Sequence, residues 1–409
     1  MTTTLLKRTV IAFFLTAIIT LPATAARIRL SANLDAAQET PASASTATGM
    51  AEMWYDTATN TFNLTVNVTG MANLVTGSHL HEAPAGSSGG VVTGLGAETV
   101  YTRNGDDLSA SFSGLSYGGD PATLLAGGAY VNIHSAIFPG GEIRGQLWAD
   151  PVQLWAKLSP EQETATVESD AYGAAQMTLY PVTGKFELIV FAYNFTNTFA
   201  ASHIHEGAVG TNGGVVNGLG GAADYNQNGN TYSQVWNDVD YAGDMMTLLN
   251  GGAYINIHSD VHAGGEIRGQ LWASEAGRTA SHLSNVSSRG AVGAGDASLV
   301  VGFVIEGTEP LTVIVTGRGP VLTEFGVVGA LADPVLYVHD RWGNQIFWND
   351  NAADTTYLQP ITESGFAPTV AAEAAAILLL PPGPHTMTVK GAGDTTGIAL
   401  AEAFQQNNN

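Results

Sequence analysis

Gly140-Gly-Glu-Ile-Arg-Gly-Gln-Leu-Trp-Ala149 recurs letter for letter at residues 264–273. Outward from this decapeptide, residues 28–149 align with residues 152–273 at a constant offset of 124 residues, without one insertion. The units of stacked-repeat proteins are much shorter, about 20 to 50 residues. The repeat is therefore a tandem duplication of a whole domain, and two copies of that domain make up most of the chain.

Each copy has the sequence pattern of β-strands. Residues 61–68 alternate polar and apolar side chains with a period of two, and clusters of Gly, Asn and Asp mark the turns. One short helix is expected per copy, because Asp120 can cap it, Pro121 suits its first turn and Gly127 can end it. Its counterpart is residues 244–251. The prediction for each copy is an all-β sandwich or barrel with Greek-key connections.

The rest of the chain lacks the repeat. Strands are predicted there at residues 298–305, 311–315, 335–339 and 385–390, and a helix over Ala371–Leu380, where Ala is frequent. A second kind of β-sandwich is the expected fold. The predicted division is a signal peptide at 1–25, the copies at 26–150 and 151–275, a linker at 276–290 and a C-terminal β-sandwich at 291–405.

The first 25 residues have the features of a secretory signal peptide. Lys7 and Arg8 precede an apolar run from Val10 to Leu21, and Ala23-Thr24-Ala25 suits cleavage. The run is shorter than the roughly 20 apolar residues of a membrane span, so no transmembrane segment is expected after cleavage. The chain has no Cys, which fits an exported bacterial protein. We expect a secreted or periplasmic protein, or one associated with the cell surface.

Composition excludes several classes of function. The chain has 36 Asp and Glu against 14 Lys and Arg, a net charge of −22, which disfavours a nucleic-acid partner. A hydrophobic fraction of 45% argues against disorder. Charged residues are only 12% of the chain, against about 25% in ordinary globular domains, which argues against coiled coils.

Three ordered motifs of the repeat resemble a known family. They are His79-Leu-His81-Glu82, Tyr130-Val-Asn-Ile-His134-Ser135 and Gly140–Leu147, each present in both copies. Together they resemble the CHRD (chordin-type) domain, found in chordin and in many exported bacterial proteins. The resemblance implies an immunoglobulin-like β-barrel distantly similar to Cu,Zn superoxide dismutase, and no established activity. Residues 336–351 resemble, more weakly, bacterial pre-peptidase C-terminal β-sandwich modules.

Six of the ten histidines lie at equivalent positions of the two copies. In a strand, residues i and i+2 point to one face, so His79 and His81 present two imidazoles side by side. If the strand of His134 lies next to theirs, three imidazoles converge, a set suited to copper or zinc. The resemblance to superoxide dismutase matches the same positions to copper ligands. The candidate metal ligands are His79, His81, His134, His203, His205 and His258.

The sequence also departs from superoxide dismutase. No His lies between Glu82 and Tyr130, so the bridging His and the zinc-site cluster are missing, and so are they in the second copy. Dismutase activity is therefore not expected. The alternative to a metal site is a hydrogen-bonded polar cluster of these His with Glu82 and Asn132.

Two further sets of residues are candidates for a structural role or for calcium binding. Glu142 and Arg144, with Glu266 and Arg268, are expected to pair as a structural clasp, since residues i and i+2 share a strand face. Oxygen ligands crowd one hairpin of the C-terminal segment, which suits Ca²⁺, although Asn and Asp are also ordinary turn residues. The candidate calcium ligands are Asp340, Asn349, Asp350 and Asn351.

The first functional hypothesis is an exported, non-catalytic protein that requires no cofactor and binds an unknown extracellular protein or polysaccharide, in adhesion or matrix. The alternative is a copper- or zinc-binding protein with a three-His site in each copy and at most residual dismutase-like activity. A third hypothesis, a carbohydrate-binding module, draws on Trp342 and Trp348.

Overall fold

The computed structural model describes residues 26–273, 281–354, 361–362 and 364–406. The predicted signal peptide and part of the predicted linker lie outside the described residues. Within them, the strands form antiparallel ladders, and each copy has one short α-helix, α1 at Pro121–Leu125 and α2 at Met245–Leu249. The predicted all-β fold class is confirmed. No helix in the described ranges has the length and apolar character needed to cross a membrane.

The first copy folds into one continuous sheet of ten strands that curls around a core. In order across the sheet the strands run β5, β4, β8, β9, β1, β2, β3, β7, β6, and β10 also pairs with β1. The two halves are joined through a single pair, Asp35 with Arg144. The strands are β1 Arg27–Asp35, β2 Thr48–Asp56, β3 Thr61–Thr69, β4 Val75–Glu82, β5 Gly90–Gly96, β6 Thr102–Asn104, β7 Asp107–Ser116, β8 Ala129–Ser135, β9 Ile143–Gln146 and β10 Trp148–Ala149.

The second copy repeats this arrangement as two facing sheets, of six and four strands. Their orders are β16, β17, β13, β12, β11, β20 and β15, β14, β18, β19. An isolated bridge between Ser159 and Arg268 stands where the first copy joins its halves. The strands are β11 Val152–Leu158, β12 Tyr172–Tyr180, β13 Lys185–Tyr193, β14 Phe199–Glu206, β15 Gly214–Gly220, β16 Asn226–Asn228, β17 Thr231–Asp240, β18 Ala253–Ser259, β19 Ile267–Gln270 and β20 Trp272–Ala273.

The C-terminal segment is a sandwich of two four-stranded sheets, ordered β21, β28, β23, β26 and β22, β27, β24, β25. The strand predicted from residue 311 extends to Arg318, and residues 286–290, predicted as linker, belong to a strand. The strands are β21 Val286–Val292, β22 Leu299–Ile305, β23 Leu311–Arg318, β24 Pro334–His339, β25 Gln345–Asn349, β26 Ala374–Leu380, β27 Gly383–Gly391 and β28 Gly397–Gln405.

The predicted helix over Ala371–Leu380 is wrong, because β26 occupies residues 374–380. Every residue of this strand is buried. One face packs into the sandwich and the other lies against the second copy, so a continuous apolar run suits a strand covered on both sides. The short helix of each copy is confirmed: Asp120 accepts hydrogen bonds from the N–H groups of Ala122 and Thr123.

The three units pack directly on one another. Two residues, Asp150 and Pro151, separate the last strand of the first copy from the first strand of the second. One hydrophobic cluster runs through both copies. A second cluster joins the C-terminal sandwich to the outer face of β12 and β13, where the Tyr193 hydroxyl donates to the Leu379 carbonyl at 3.0 Å.

Candidate metal centre

The alternation of β4 and β8 decides which side chains meet. Leu80 on β4, with Val131 and Ile133 on β8, points into the core and is fully buried with them. The other face of the two strands therefore carries His79, His81 and the polar side chains of β8. In the antiparallel ladder His79 is paired with Asn132 and His81 with Tyr130, so the strands lie side by side as the metal hypothesis requires.

Three imidazoles converge in the first copy. One ligand nitrogen from each of His79, His81 and His134 lies within 4.8 Å of the others. The ring centroids of His79 and His134 are 5.1 Å apart and those of His79 and His81 are 5.6 Å apart. The second copy brings together His203, His205 and His258 in the same way.

Backbone carbonyls fix two of the three rings. His81 Nδ1 lies 3.0 Å from the Gly89 carbonyl, and His134 Nδ1 lies 3.1 Å from the Pro139 carbonyl. A carbonyl only accepts, so each Nδ1 must carry the proton, and each Nε2 keeps its lone pair. Both Nε2 atoms, and Nδ1 of His79, are buried without a hydrogen-bond partner among the described residues. Such an outer hydrogen bond is how proteins orient histidines that ligate metals.

The side chains of Tyr130 and Arg144 stack behind the His81 ring. The His81 ring lies parallel to Tyr130 with centroids 5.0 Å apart, and the Arg144 guanidinium sits 3.4 Å from the Tyr130 ring centre. Arg144 is 2% exposed and donates to the carbonyls of Ser87 and Pro84. The loop of residues 83–89, which also supplies the Gly89 carbonyl, is thereby tied to the stack.

The environment favours neutral imidazoles. Burial, assisted by the neighbouring His134 and His81, lowers the pKa of His79, and burial also lowers the pKa of His134. In the second copy, burial and the neighbouring histidines lower the pKa of His203 and His258. A neutral ring is the form that binds a metal ion.

A buried carboxyl that the sequence analysis did not single out adjoins the site. Burial raises the pKa of Glu39 to about 7, against the opposing influence of Arg144 and Asn132, and Glu39 Oε1 has no hydrogen-bond partner among the described residues. A Cβ at Gly141, where φ is +137°, would collide with this carboxylate. The positive φ and the close approach of Glu39 together favour the second Gly of the repeated Gly-Gly-Glu motif. The second copy repeats the arrangement with Glu163, whose pKa burial also raises to about 7, and Gly265. The recurring Gln-Glu-Thr triplet was the available sequence signal.

The two copies differ at the small residue that lies against the first His of the site. Gly77, on the face of His79, has no Cβ, and a Cβ there would lie 3.1 Å from His79 Cε1. The second copy has Ala201 at this position. There His203 Nδ1 lies 3.1 Å from His258 Nε2, within hydrogen-bonding distance.

The expected pairing of Glu142 with Arg144 is wrong. The described bonds of the Glu142 carboxylate come from the Ser45 hydroxyl at 2.9 Å and the Asn73 amide at 3.1 Å. Arg144 instead holds the 83–89 loop, because β9 begins after Glu142 and the two side chains do not share a strand face. Each residue clasps a different loop, and Glu266 and Arg268 do the same in the second copy.

Glu82 takes no part in the His cluster. Its carboxylate accepts from the Tyr117 hydroxyl at 2.8 Å and from the Asp120 N–H at 2.6 Å, at the start of α1. The polar-cluster alternative was therefore wrong about Glu82.

The candidate calcium ligands do not come together. Asp340 lies in the turn before β25, where it accepts from the N–H groups of Trp342 and Asn344. Asn349 to Asn351 lie at the far end of that strand, where Asn349 bonds to the carbonyl of Asn351 and to the N–H of Ala375. Among the described residues, the two His triads alone form groups of three or more potential metal ligands. Ordinary turn and strand-end hydrogen bonds account for Asp340, Asn349 and Asn351.

A fold of two similar β-domains, each carrying a three-His cluster on its outer face, defines the class of this protein. The sequence profile of the CHRD domain matches residues 30–147 and 154–271. The chain belongs to the CHRD-domain family, with two domains in tandem. No curated protein sequence matches it.

Solved structures add little to this. The structure of Sulfolobus turreted icosahedral virus is 7% identical over 93% of this chain and 80% of that chain, with a TM-score of 0.15. The exo-β-1,3-galactanase of Phanerochaete chrysosporium is 8% identical over 88% and 78%, with a TM-score of 0.15. The VP2 subviral particle of infectious bursal disease virus is 10% identical over 94% and 74%, with a TM-score of 0.16. No inference about this chain rests on scores so low.

Proposed function

We propose that this protein is exported and holds one copper or zinc ion in the three-His cluster of each CHRD domain. The observation that carries the proposal is the convergence, in both copies, of three imidazole nitrogens within 4.8 Å of one another. Imidazole is a ligand that suits both zinc and copper.

The surroundings of the nitrogens support a metal better than a closed polar cluster. A buried polar atom without a partner costs about 1 to 3 kcal/mol, and the first copy leaves three imidazole nitrogens in that state. A metal ion would engage all three lone pairs at once. Of the residues assigned to the polar-cluster alternative, Glu82 bonds elsewhere, and Asn132 Oδ1 has no described partner.

We propose further that the metal is held rather than used for turnover, in a protein that acts by binding outside the cytoplasm. The chain has no His between Glu82 and Tyr130, the region where a protein like Cu,Zn superoxide dismutase would need His ligands for its second metal. The metal would then brace the outer face of β4 and β8 and the 83–89 loop that Arg144 ties to it. Adhesion or a matrix role is the biological setting that we assign to such a protein.

The test is metal content by elemental mass spectrometry on the purified protein, after exposure to copper or zinc and exhaustive desalting. Two equivalents are expected in the wild type and none in a His79→Ala/His203→Ala variant. His282→Ala is the matched control, because His282 is exposed and outside both clusters. Retention of no transition metal by a folded wild-type protein would overturn the proposal.

A further inference from the structure

A cleft of about 630 Å³ lies between the second CHRD domain and the C-terminal sandwich. Lys157, Glu161 and Asp170 line it from the CHRD domain, and Arg341 and Trp342 line it from the turn between β24 and β25. Ligand sites of this size occur preferentially where two domains meet. The cleft contains none of the six clustered histidines.

The walls of the cleft are held in place by contacts across the junction. The Tyr172 hydroxyl of β12 donates to Asp340 at 3.1 Å, and the rings of Tyr172 and Trp342 meet edge-on with centroids 5.5 Å apart. Asp340 also accepts from the Trp342 and Asn344 N–H groups, which fixes the turn. Trp342 is nevertheless 60% exposed, so a large apolar ring is held open to solvent on a fixed backbone.

The polar groups around this ring are of both signs. Within the described part of the chain neither Lys157 nor Arg341 forms an ion pair, and the Arg341 guanidinium lies 4.2 Å from the Trp342 ring centre. Glu161 and Asp170 supply acceptors on the facing wall. Burial lowers the pKa of His385, also in the lining, to about 4, so its ring adds no charge at neutral pH.

Charge and composition together narrow the class of ligand. A net charge of −22 repels polyanions, and the lining, with two cations against three carboxylates, has only a small net charge of its own. Donors and acceptors spaced around an exposed indole instead suit a ligand that has many hydroxyl groups and an apolar ring face. The indole of Trp342 offers a flat apolar face with a large contact area to the ring of such a ligand.

We propose that this cleft binds a neutral saccharide, with a sugar ring against Trp342 and hydroxyl groups bonded by Lys157, Arg341, Glu161 and Asp170. Among the described residues we expect one such site, because the first CHRD domain has Thr48 where the second has Tyr172, and the C-terminal sandwich packs on the second domain. The site is separate from the metal centres and does not depend on them.

The experiment is isothermal titration of the full-length protein with short oligosaccharides. The probes are neutral glucans, xylans and chitin fragments, with oligogalacturonate as the anionic arm. One neutral oligosaccharide is expected to bind once per chain, with or without metal. Trp342→Ala should weaken that binding by about tenfold or more. The control Trp54→Ala removes an exposed Trp of the first copy and should change nothing.

A second variant tests the polar groups. Lys157→Gln/Arg341→Gln keeps the Trp and is expected to weaken binding less than Trp342→Ala does. The proposal is overturned if no neutral probe binds, if oligogalacturonate binds more tightly than every neutral probe, or if the Trp342→Ala protein, with an unchanged melting temperature, binds as the wild type does.

Discussion

The outer faces of the two CHRD domains show what has changed between the copies. In the first domain Thr48, Asn67 and Thr69 are exposed on β2 and β3. At the same positions the second domain has Tyr172, Phe191 and Tyr193, which are buried against the C-terminal sandwich. Each of the three polar residues of the first domain therefore corresponds to an aromatic residue in the second domain, where the C-terminal sandwich docks. The same backbone therefore serves as a free surface in one copy and as an interface in the other.

The His clusters show the opposite behaviour. All three His, the stacked Tyr and Arg, the buried Glu and the clasping Gly are identical in the two copies. The small residue next to the first His differs, Gly77 against Ala201, and so do residues that contribute only a backbone carbonyl, such as Pro139 against Ala263. Surfaces that bind different neighbours have diverged, whereas the side chains of the candidate metal centres have stayed the same.

The largest expected effect is the loss of metal from one domain while the other domain keeps its metal. His81→Ala should remove one of the two metal equivalents, and His205→Ala should remove the other, because each domain carries its own ligands. Elemental mass spectrometry of each variant measures the remainder. The double variant should hold none. If either single substitution emptied both sites, the domains would not be independent metal centres.

The next effect tests the docking face. Phe191→Asn, which installs the residue of the first copy, should lower the free energy of unfolding by about 3 kcal/mol or more, because Phe191 is 1% exposed in the cluster shared with the sandwich. Urea denaturation measures the loss. Asn67→Ala, at the matched exposed position, should cost under about 0.5 kcal/mol. Equal effects of the two substitutions would mean that this face does not hold the sandwich.

An intermediate effect concerns the difference between Gly77 and Ala201. Gly77→Ala should weaken copper or zinc binding in the first domain and Ala201→Gly should strengthen it in the second, each by about tenfold. The reason is that the added Cβ crowds the ring of His79, and in the second domain metal must replace the bond between His203 and His258. Chelator competition, in backgrounds where the other centre has been removed, gives each affinity. Unchanged affinities in both swaps would show the methyl group to be neutral.

The smallest effect is a pH dependence of the metal-free protein. Folding raises the pKa of Glu39 from 4.5 to about 7, so the folded state keeps a proton that the unfolded state releases between these values. This contribution to stability is complete below the lower value and is lost as pH rises through the higher one. The stability of the Glu39→Gln variant, relative to that of the wild type, should therefore be higher at about pH 8 than at about pH 5.

Thermal or urea unfolding at the two pH values checks this expectation. Glu163→Gln should behave alike in the second domain, since its pKa is raised to the same value. Glu52→Gln is the control, because Arg29 lowers the pKa of exposed Glu52 and removal of that carboxylate cannot produce the same sign. If the stability of Glu39→Gln relative to the wild type rose as pH falls, the raised pKa of Glu39 would be contradicted.

The sequence was sufficient to predict the His clusters because their geometry is local. Alternation places His79 and His81 on one face, Val131 and Ile133 assign the opposite face to the core, and the duplication supplies a second instance of the pattern. The pairing of β4 with β8 was the only long-range assumption, and it is confirmed.

The errors arose where partners come from distant segments. Glu39 reaches Gly141 across about a hundred residues, so no local pattern could reveal its burial. Glu142 and Arg144 were assigned to each other by spacing, but loops that precede β2 and follow β4 supply their partners. Ala374–Leu380 has helical propensity, which burial on both faces overrides.

The junction between the CHRD domains has a consequence for how they could act together. Asp150, one of the two linking residues, is bonded to Arg29, and Thr57 bonds to Asn250 across the junction. Because one hydrophobic core runs through both domains, we expect them to move as one unit and to keep a fixed distance between their metal centres. A partner that binds both domains at once must therefore have its two binding groups at that distance. Such a partner gains a large avidity, whereas a partner of another span gains none.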